Sequence, residues 1–512
     1  MLNFIQMHGQ KINGILSGFD RLVFRGTLRM LSFIAGMGQF LSQVGVLLKD
    51  FGDYAQEVSA RLIEASLTEA NRLERPVVYL PSASTRKEDV ARKIAARGSI
   101  TGGLVCVLKC VEPCMSFSVR SDHAEKMLKL DLRRRACSHL YHYWIDPEFG
   151  WMNARIQTWF PFPIQVCVNG REWLSRRLDG AGITYRRREN GFTWIDDPRK
   201  AQDIMDGMLR TNWPDFLTPI AKRLNPAHET IFKESPRDYY WSTHQSEWAT
   251  DLIFKSRDAL QSIYPALTRG AIACFSSPDV MRFLGKKLHG RFEGEVRSDY
   301  KRRPEGVRVK HGAAGNSVKV YDKFGSILRV ETTINHPSEI KVFRKAEGDP
   351  ESAMKWRPMR KGIADLHRRA EVSQKCNERY LDALASLDTS TPIGELAEPI
   401  CRPTKFRGRR VRALHPWSKE DDMLLAAISR GEFTKSGFRN RDIVAVLFPG
   451  KKAERRLSSK VTRLLRMLRA HGLVLKIPGT HRYQITRKGR PIVTALIQSQ
   501  RVSLKELNKV AD

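Results

Sequence analysis

Two hydrophobic periods alternate along this chain, and the switching between them restricts its fold more than any other feature. From about 36 to 74 apolar residues recur at helical spacing. Phe51, Tyr54, Val58, Leu62 and Leu67 stand three to five apart, with Asp53, Glu57, Arg61 and Glu64 between them. Val77 to Leu80 then reads as a strand, and Ser84 or Thr85 as the cap of a helix from Lys87 to Arg97. Between Gly102 and Thr193 the period shortens to short strands punctuated by turns. Tyr141 to Asp146, the turn Pro147 to Gly150, and Trp151 to Trp159 predict a hairpin. Ile164 to Val168, the pair Asn169-Gly170, and Arg171 to Leu178 predict strand, turn and helix. A chain carrying both periods at length is neither all-α nor all-β, so we expect an α+β multidomain protein with mixed sheet domains.

At 512 residues the chain exceeds one compact core, and roughly three or four domains of about 150 residues are expected. The breaks in pattern suggest a helical segment over 1–75, an α/β sheet domain over 76–235 and a central α+β domain over 236–345. A helical connector over 346–417 follows, where Pro350, Pro358, Pro392, Pro399 and Pro403 surround the helical stretch Ile363 to Leu387. A last domain occupies 418–500. The apolar fraction of 41% is enough to fill such cores. No apolar run reaches the ~18 residues of a membrane span, and the N-terminus lacks the basic start and apolar stretch of a secretory signal. A cytoplasmic protein without a membrane partner is expected.

Charge names the partner class. The formal net charge is +33, and from Cys401 to Asp512 there are 27 basic against 8 acidic residues, a surplus of 19 in the last 112 positions. Such a field attracts polyanions, of which nucleic acid is the commonest in a cell.

Eight cysteines are too few for a disulfide scaffold. Cys106, Cys110 and Cys114 are spaced by four, with Cys137, His139 and His142 further on, a set able to hold zinc. The same spacing puts Cys106 and Cys110 on one face of a buried strand as small core residues. Tyr141, Tyr143, Trp144, Trp151, Trp159 and Phe160, interleaved with Arg155 and Arg171, read either as a base-stacking platform or as the packed face of a sheet.

The C-terminal segment orders its elements distinctively. Ser418 caps a first helix, Asn440 to Leu447 forms a second, and Ala453 to Ala470 a third with Leu457, Val461, Leu464, Leu465 and Leu468 on its apolar face. Leu473 to Ile477, the turn Pro478-Gly479-Thr480, and Arg482 to Thr486 make a two-stranded ribbon. This order, and the phrase from His471 to Gly489, resembles the winged-helix domains of MarR-like regulators. The resemblance covers about 85 residues. It implies a recognition helix carrying Arg455, Arg456, Ser459, Lys460, Arg463 and Arg466, and a wing carrying Thr480, His481 and Arg482. Those side chains suit phosphates and guanine edges.

A second motif lies between Tyr239 and His336. Asn316 to Lys323 and Ile327 to Asn335, separated by Phe324-Gly325-Ser326, predict a hairpin. Its register puts Ser317, Lys319, Tyr321, Lys323, Arg329, Glu331 and Thr333 on one solvent-facing surface, with Val318, Val320, Leu328, Val330 and Ile334 on the other. The Tyr-Asp-Lys, turn, Arg-Val-Glu hairpin resembles the core of rolling-circle replication initiators of the Rep_trans type and of filamentous-phage replication proteins. Glu247 to Asp251 is similar to the acidic strand that precedes that hairpin in them. The resemblance implies a strand-nicking activity in which Glu331 and either Glu247 or Asp251 hold Mg²⁺ or Mn²⁺. Lys323 would stabilise the transition state, and Tyr321 or Tyr300 would be the nucleophile. His244, Glu247 and Asp251 also fit one face of a helix as a surface cluster.

Arg297 to His311, with Lys301, Arg302 and Arg303, reads as a basic loop that either guides a strand or is simply solvated. No Gly-x4-Gly-Lys-Ser/Thr, Gly-x-Ser-x-Gly or His-Glu-x-x-His motif occurs. The expected function is nucleic-acid binding, DNA before RNA, by a mobile-element-type initiator with metal-dependent nicking. The alternatives are a non-enzymatic winged-helix regulator and an RNA-binding protein.

Overall fold

The computed structural model describes residues 1–225, 227–275, 277–286, 295–304, 306–385, 393–430, 433, 437–450, 455–486 and 488–499. The protein is a mixed α/β chain with a large mixed sheet. Its contacts divide it into two units, each discontinuous in sequence, whereas the segments expected above are contiguous. The larger unit comprises Asn13–Ile253 and Glu331–Gln374; the other comprises Met1–Ile12, Phe254–Val330 and Lys375–Asp512.

The strands of the larger unit are β1 (Ile12–Thr27), β2 (Val77–Leu80), β3 (Gly103–Asp122), β4 (Met127–Asp146), β5 (Gly150–Gln157), β6 (Ile164–Asn169), β7 (Tyr185–Arg188), β8 (Gly191–Ile195) and β9 (Tyr240–Phe254). Their order is β9-β1-β6-β5-β4-β3-β2, with β7 and β8 paired apart from them. β2 runs parallel to β3, whereas β1–β6, β6–β5, β5–β4 and β4–β3 are antiparallel. The middle strands alternate strictly. Met152, Ala154 and Ile156 of β5 are buried, while Trp151, Asn153 and Arg155 are half-buried. The buried row joins Phe24, Leu140 and Val166 from neighbouring strands, and Phe40, Phe51 and Leu62 from the helices Ile34–Gln43 and Phe51–Arg72, in one core. Each such side chain contributes about 1.5–3 kcal/mol on burial.

Several local expectations hold. The helix Lys87–Arg97 lies where its periodicity puts it, although Arg86 occupies the cap position without a side-chain bond, in place of Ser84 or Thr85. Tyr141 to Asp146 pairs with Gly150 to Gln157, but as the end of a longer strand. β3 and β4 run 20 residues each rather than as short strands. Alternation fades towards their shared turn, where Arg133, Arg134 and Arg135 are exposed, so periodicity alone cuts these strands short. Tyr143, Trp144 and Phe160 are core residues, which settles their role as packing rather than base stacking.

The helix Gly170–Gly180 follows β6 directly. The Asn169 side chain accepts hydrogen bonds from the Arg171 and Glu172 amides at 2.9 and 3.1 Å, a capping geometry. Only glycine fits at 170, because a Cβ there would lie 1.9 Å from the Phe19 carbonyl oxygen. This close approach brings Arg171 to the middle of β1.

The other unit contains β10 (Val296–Arg303), β11 (Gly306–Ala313), β12 (Asn316–Lys323) and β13 (Ile327–Ile334), in the order β10-β11-β12-β13. From Glu331 onward β13 belongs to the larger unit, where it lies beside β9. β12 and β13 flank residues 324–326, where Phe324 and Gly325 take φ of 63° and 86°, as a tight three-residue loop requires. The expected exposure of the polar hairpin face is corrected. Every residue of β13 is buried, and Tyr321 of β12 is only 7% exposed. The basic stretch from Arg297 is likewise not a loop but the hairpin β10–β11, with Lys301 opposite Arg308. Charged side chains are suited to such a strand edge, where they discourage pairing with other chains.

Towards the C-terminus this unit has the helix Lys419–Ile428, whose Ser418 Oγ accepts from the Asp421 amide. Then come the strand Phe438–Arg439, the helices Asn440–Leu447 and Arg455–Ala470, and the strands Val474–Lys476 and Arg482–Ile485. The strand Arg482–Ile485 lies between the other two. Leu424, Ile443, Val461, Leu464, Leu465 and Leu468 share the core of this region. The expected limits Ala453 and Leu387 of two helices fall outside the described residues.

Candidate metal centre and nucleic-acid interface

Three neighbouring strands of the larger unit each contribute one carboxylate to a common point: Asp20 from β1, Glu247 from β9 and Glu331 from β13. Their ligand oxygens all lie within 4.8 Å of one another. Adjacent strands are about 4.8 Å apart, so side chains at matching heights on three of them converge without any loop. Asp20 is 5% exposed and Glu331 1%, while Glu247 is half-buried.

The carboxylates are held in place. Asn190 Nδ2 donates to both Asp20 oxygens, at 3.0 and 2.8 Å, and Gln245 Nε2 donates to Glu247 Oε1 at 2.9 Å. Arg171 Nε stands 3.9 Å from Asp20 and offsets part of the mutual repulsion. Three oxygen donors with no thiolate or imidazole are the set that suits a hard divalent cation such as Mg²⁺ or Mn²⁺. Amide donors behind the ligands serve to orient them.

The spacing argument anticipated Glu331 and Glu247 but left the choice between Glu247 and Asp251 open. Asp251 does not join the cluster. It is buried and accepts a hydrogen bond from Arg171 Nη2 at 3.1 Å, a structural pair. The helical alternative for His244, Glu247 and Asp251 is corrected, since all three lie on the strand β9. Asp20 was missed. Its position in an apolar strand, Leu16 to Phe24, is a signal that an acid there needs a partner, but nothing local names that partner.

The expected nucleophiles and Lys323 belong to the other unit. Tyr321 is buried beneath the Arg303 guanidinium, 5.4 Å from its ring, with the Lys319 ammonium at 5.5 Å. Tyr300 on β10 is 61% exposed. The Lys323 ammonium lies 4.8 Å over the Phe324 ring. Lys301, Arg302 and Arg303 are all exposed.

The zinc expectation is corrected. Cys106 and Cys110 are buried with Leu80, Ala91 and Leu108, and burial pushes the Cys106 thiol up to about 12, unlike a ligand thiolate. Cys114 and Cys137 are half-buried and hydrogen-bonded to each other; that bond, with one from Ser116, holds Cys137 at about 6. Burial and the Arg155 cation hold His139 near 4, and His142 is likewise buried and near 4. Among the described residues only Asp20, Glu247 and Glu331 converge as a metal-ligating group.

On the helix Arg455–Ala470, Arg455, Arg456, Ser459, Arg463 and Arg466 are exposed on the side opposite Val461, Leu464, Leu465 and Leu468. Lys460 is engaged with Glu420 at 2.7 Å. Thr480 and His481 are exposed at the turn, and Arg482 Nη1 donates to the Gly437 carbonyl. Among the described residues no helix is long and apolar enough to cross a membrane. Comparison with protein-family models, with curated proteins and with solved structures returns no match.

Proposed function

We propose that this chain cuts one strand of a nucleic acid, DNA before RNA, with a divalent cation held by Asp20, Glu247 and Glu331. The convergence of three carboxylates from three adjacent strands carries this reading. A bound Mg²⁺ or Mn²⁺ would supply charge neutralisation at a phosphoryl oxygen. Asn190 and Gln245 hold two of the three ligands oriented for it. Tyr300 is favoured over Tyr321 as nucleophile because it is exposed. The C-terminal segment, with its helix–strand–helix–helix–ribbon order and exposed arginines, supports a winged-helix module on duplex DNA.

The test is incubation of labelled single-stranded and supercoiled DNA with the full chain, with Mg²⁺, Mn²⁺ or EDTA, resolved on denaturing gels. Metal-dependent nicking that Glu331→Gln and Asp20→Asn abolish is the expected result. A protein–DNA adduct lost in Tyr300→Phe identifies the nucleophile. Salt-sensitive binding with no cleavage in any metal supports the second reading, a binding protein without catalysis, which rests on the basic face of Arg455–Ala470.

A further inference from the structure

The face of the sheet opposite the main core of the larger unit carries a polar row at right angles to its strands. In register, Arg25 of β1 faces Gln165 of β6, Gln165 faces Arg155 of β5, and Arg155 faces Tyr141 of β4. All four are half-buried, whereas their chain neighbours Phe24, Ile164, Val166, Ala154 and Ile156 are core residues. The row is thus one row of the pleat turned towards solvent.

Its charges are unbalanced. Arg155 Nη1 donates to Glu112 at 3.1 Å, but that carboxylate is already bound by Lys87 at 2.7 Å and by the Tyr141 hydroxyl at 2.7 Å. One acid therefore serves two cations. Among the described residues the Arg25 guanidinium has no acidic partner and no hydrogen bond. Burial and the neighbouring Arg155 hold Arg25 below the usual guanidinium range. Burial, together with Arg25, Lys361 and Arg155, also holds the His244 imidazole low, so the cationic field extends to β9. A half-buried cation beside another cation, with nothing from the protein to compensate it, is a cost to the fold. An anion between the two arginines would remove that cost.

We propose that Arg25, Gln165 and Arg155 form a phosphate subsite for a single nucleic-acid strand approaching the carboxylate cluster. Two strands separate the arginines by about 10 Å, which lets their guanidinium groups reach one phosphate from either side, with the Gln165 amide between them. Arg25 and Asp20 share β1 and are five residues apart, about 17 Å along an extended strand. A strand seated here contacts the protein upstream of the cluster rather than at it. Such a contact fixes position without reading sequence. The inference rests on the strand-cutting reading for its ligand, but its test does not depend on cleavage.

The experiment measures anisotropy of a fluorescein-labelled 20-nucleotide thymidine strand with the full chain in EDTA, over a range of NaCl concentrations. Arg25→Gln is expected to weaken binding about tenfold at low salt and to lower the salt slope by about 0.7, the value for one lost phosphate contact on a single strand. Its melting temperature should stay level or rise, because Arg25 stabilises nothing in the free protein. Arg25→Lys should restore most of the slope. Inorganic phosphate at millimolar concentration should not displace the strand; displacement would make this a free-phosphate site and overturn the strand assignment. An unchanged slope in Arg25→Gln, or a loss of binding that tracks a lower melting temperature, also overturns it. If Arg25→Gln lowers the slope while no metal supports cleavage, the subsite stands and the cutting reading falls. Cleavage intact with a neutral Arg25→Gln gives the reverse.

Discussion

Replacing Arg171 by methionine tests whether Asp251 is a structural acid or a metal ligand. The Arg171 side chain is fully buried, and it donates to Asp251 at 3.1 Å and to the Ala249 carbonyl at 3.2 Å, with Asp20 at 3.9 Å. Arg171→Met leaves the buried Asp251 carboxylate without its cation, and breaking a buried pair in this way costs about 3–5 kcal/mol. For a unit of this size that is a fall in melting temperature of about 6–20 °C. Arg171→Met combined with Asp251→Leu removes both charges and should recover to within about 1 kcal/mol of the parent. The assay is thermal unfolding followed by tryptophan fluorescence, with and without Mn²⁺. Asp251→Asn should keep the Mn²⁺-induced rise in melting temperature that Glu331→Gln loses. A cost below about 1 kcal/mol for Arg171→Met would refute the buried-pair argument. Loss of the Mn²⁺ response in Asp251→Asn as complete as in Glu331→Gln would return Asp251 to the ligand set.

Acid should unfold this protein early. Burial holds His139, His142 and His311 near 4, against an unfolded value near 6.5, so the unfolded state binds more protons between those values. Stability is then full above about pH 6.5 and falls as pH drops towards 4, by on the order of 3 kcal/mol for each histidine. Urea midpoints measured from pH 7 to 4.5 should decline, and His142→Gln should flatten the decline; a level profile would contradict the burial. Iodoacetamide at pH 7 should alkylate Cys137 first, because Cys114 holds its thiol near 6, while Cys106 at about 12 stays unmodified. Cys114→Ala should slow that alkylation, as read by mass spectrometry. Equal rates in the parent and Cys114→Ala would show that the thiol–thiol bond does not activate Cys137.

What was readable from the chain alone is whatever neighbouring residues decide. The helix Lys87–Arg97 follows from apolar spacing, and the helix after Asn169-Gly170 from a cap and a glycine. The hairpin around 324–326 follows from two alternating runs and a short loop. Glu247 and Glu331 were legible as acids in strand-like surroundings for the same reason. Tertiary structure decided the rest. Strand order places β1 and β13 on either side of β9, so Asp20 meets an acid more than three hundred positions away, which no local period reports. Burial of the β12–β13 polar face depends on what covers it, and alternation shows only that two faces differ. The same holds for Asp251. Its sequence neighbours resemble those of a ligand, but Gly170 lets a helix approach β1 closely enough for Arg171 to claim it. Local chemistry sets which residues can ionise, bend or alternate, whereas long-range packing sets which of them meet, because a side chain's partner is chosen by strand order and not by distance along the chain.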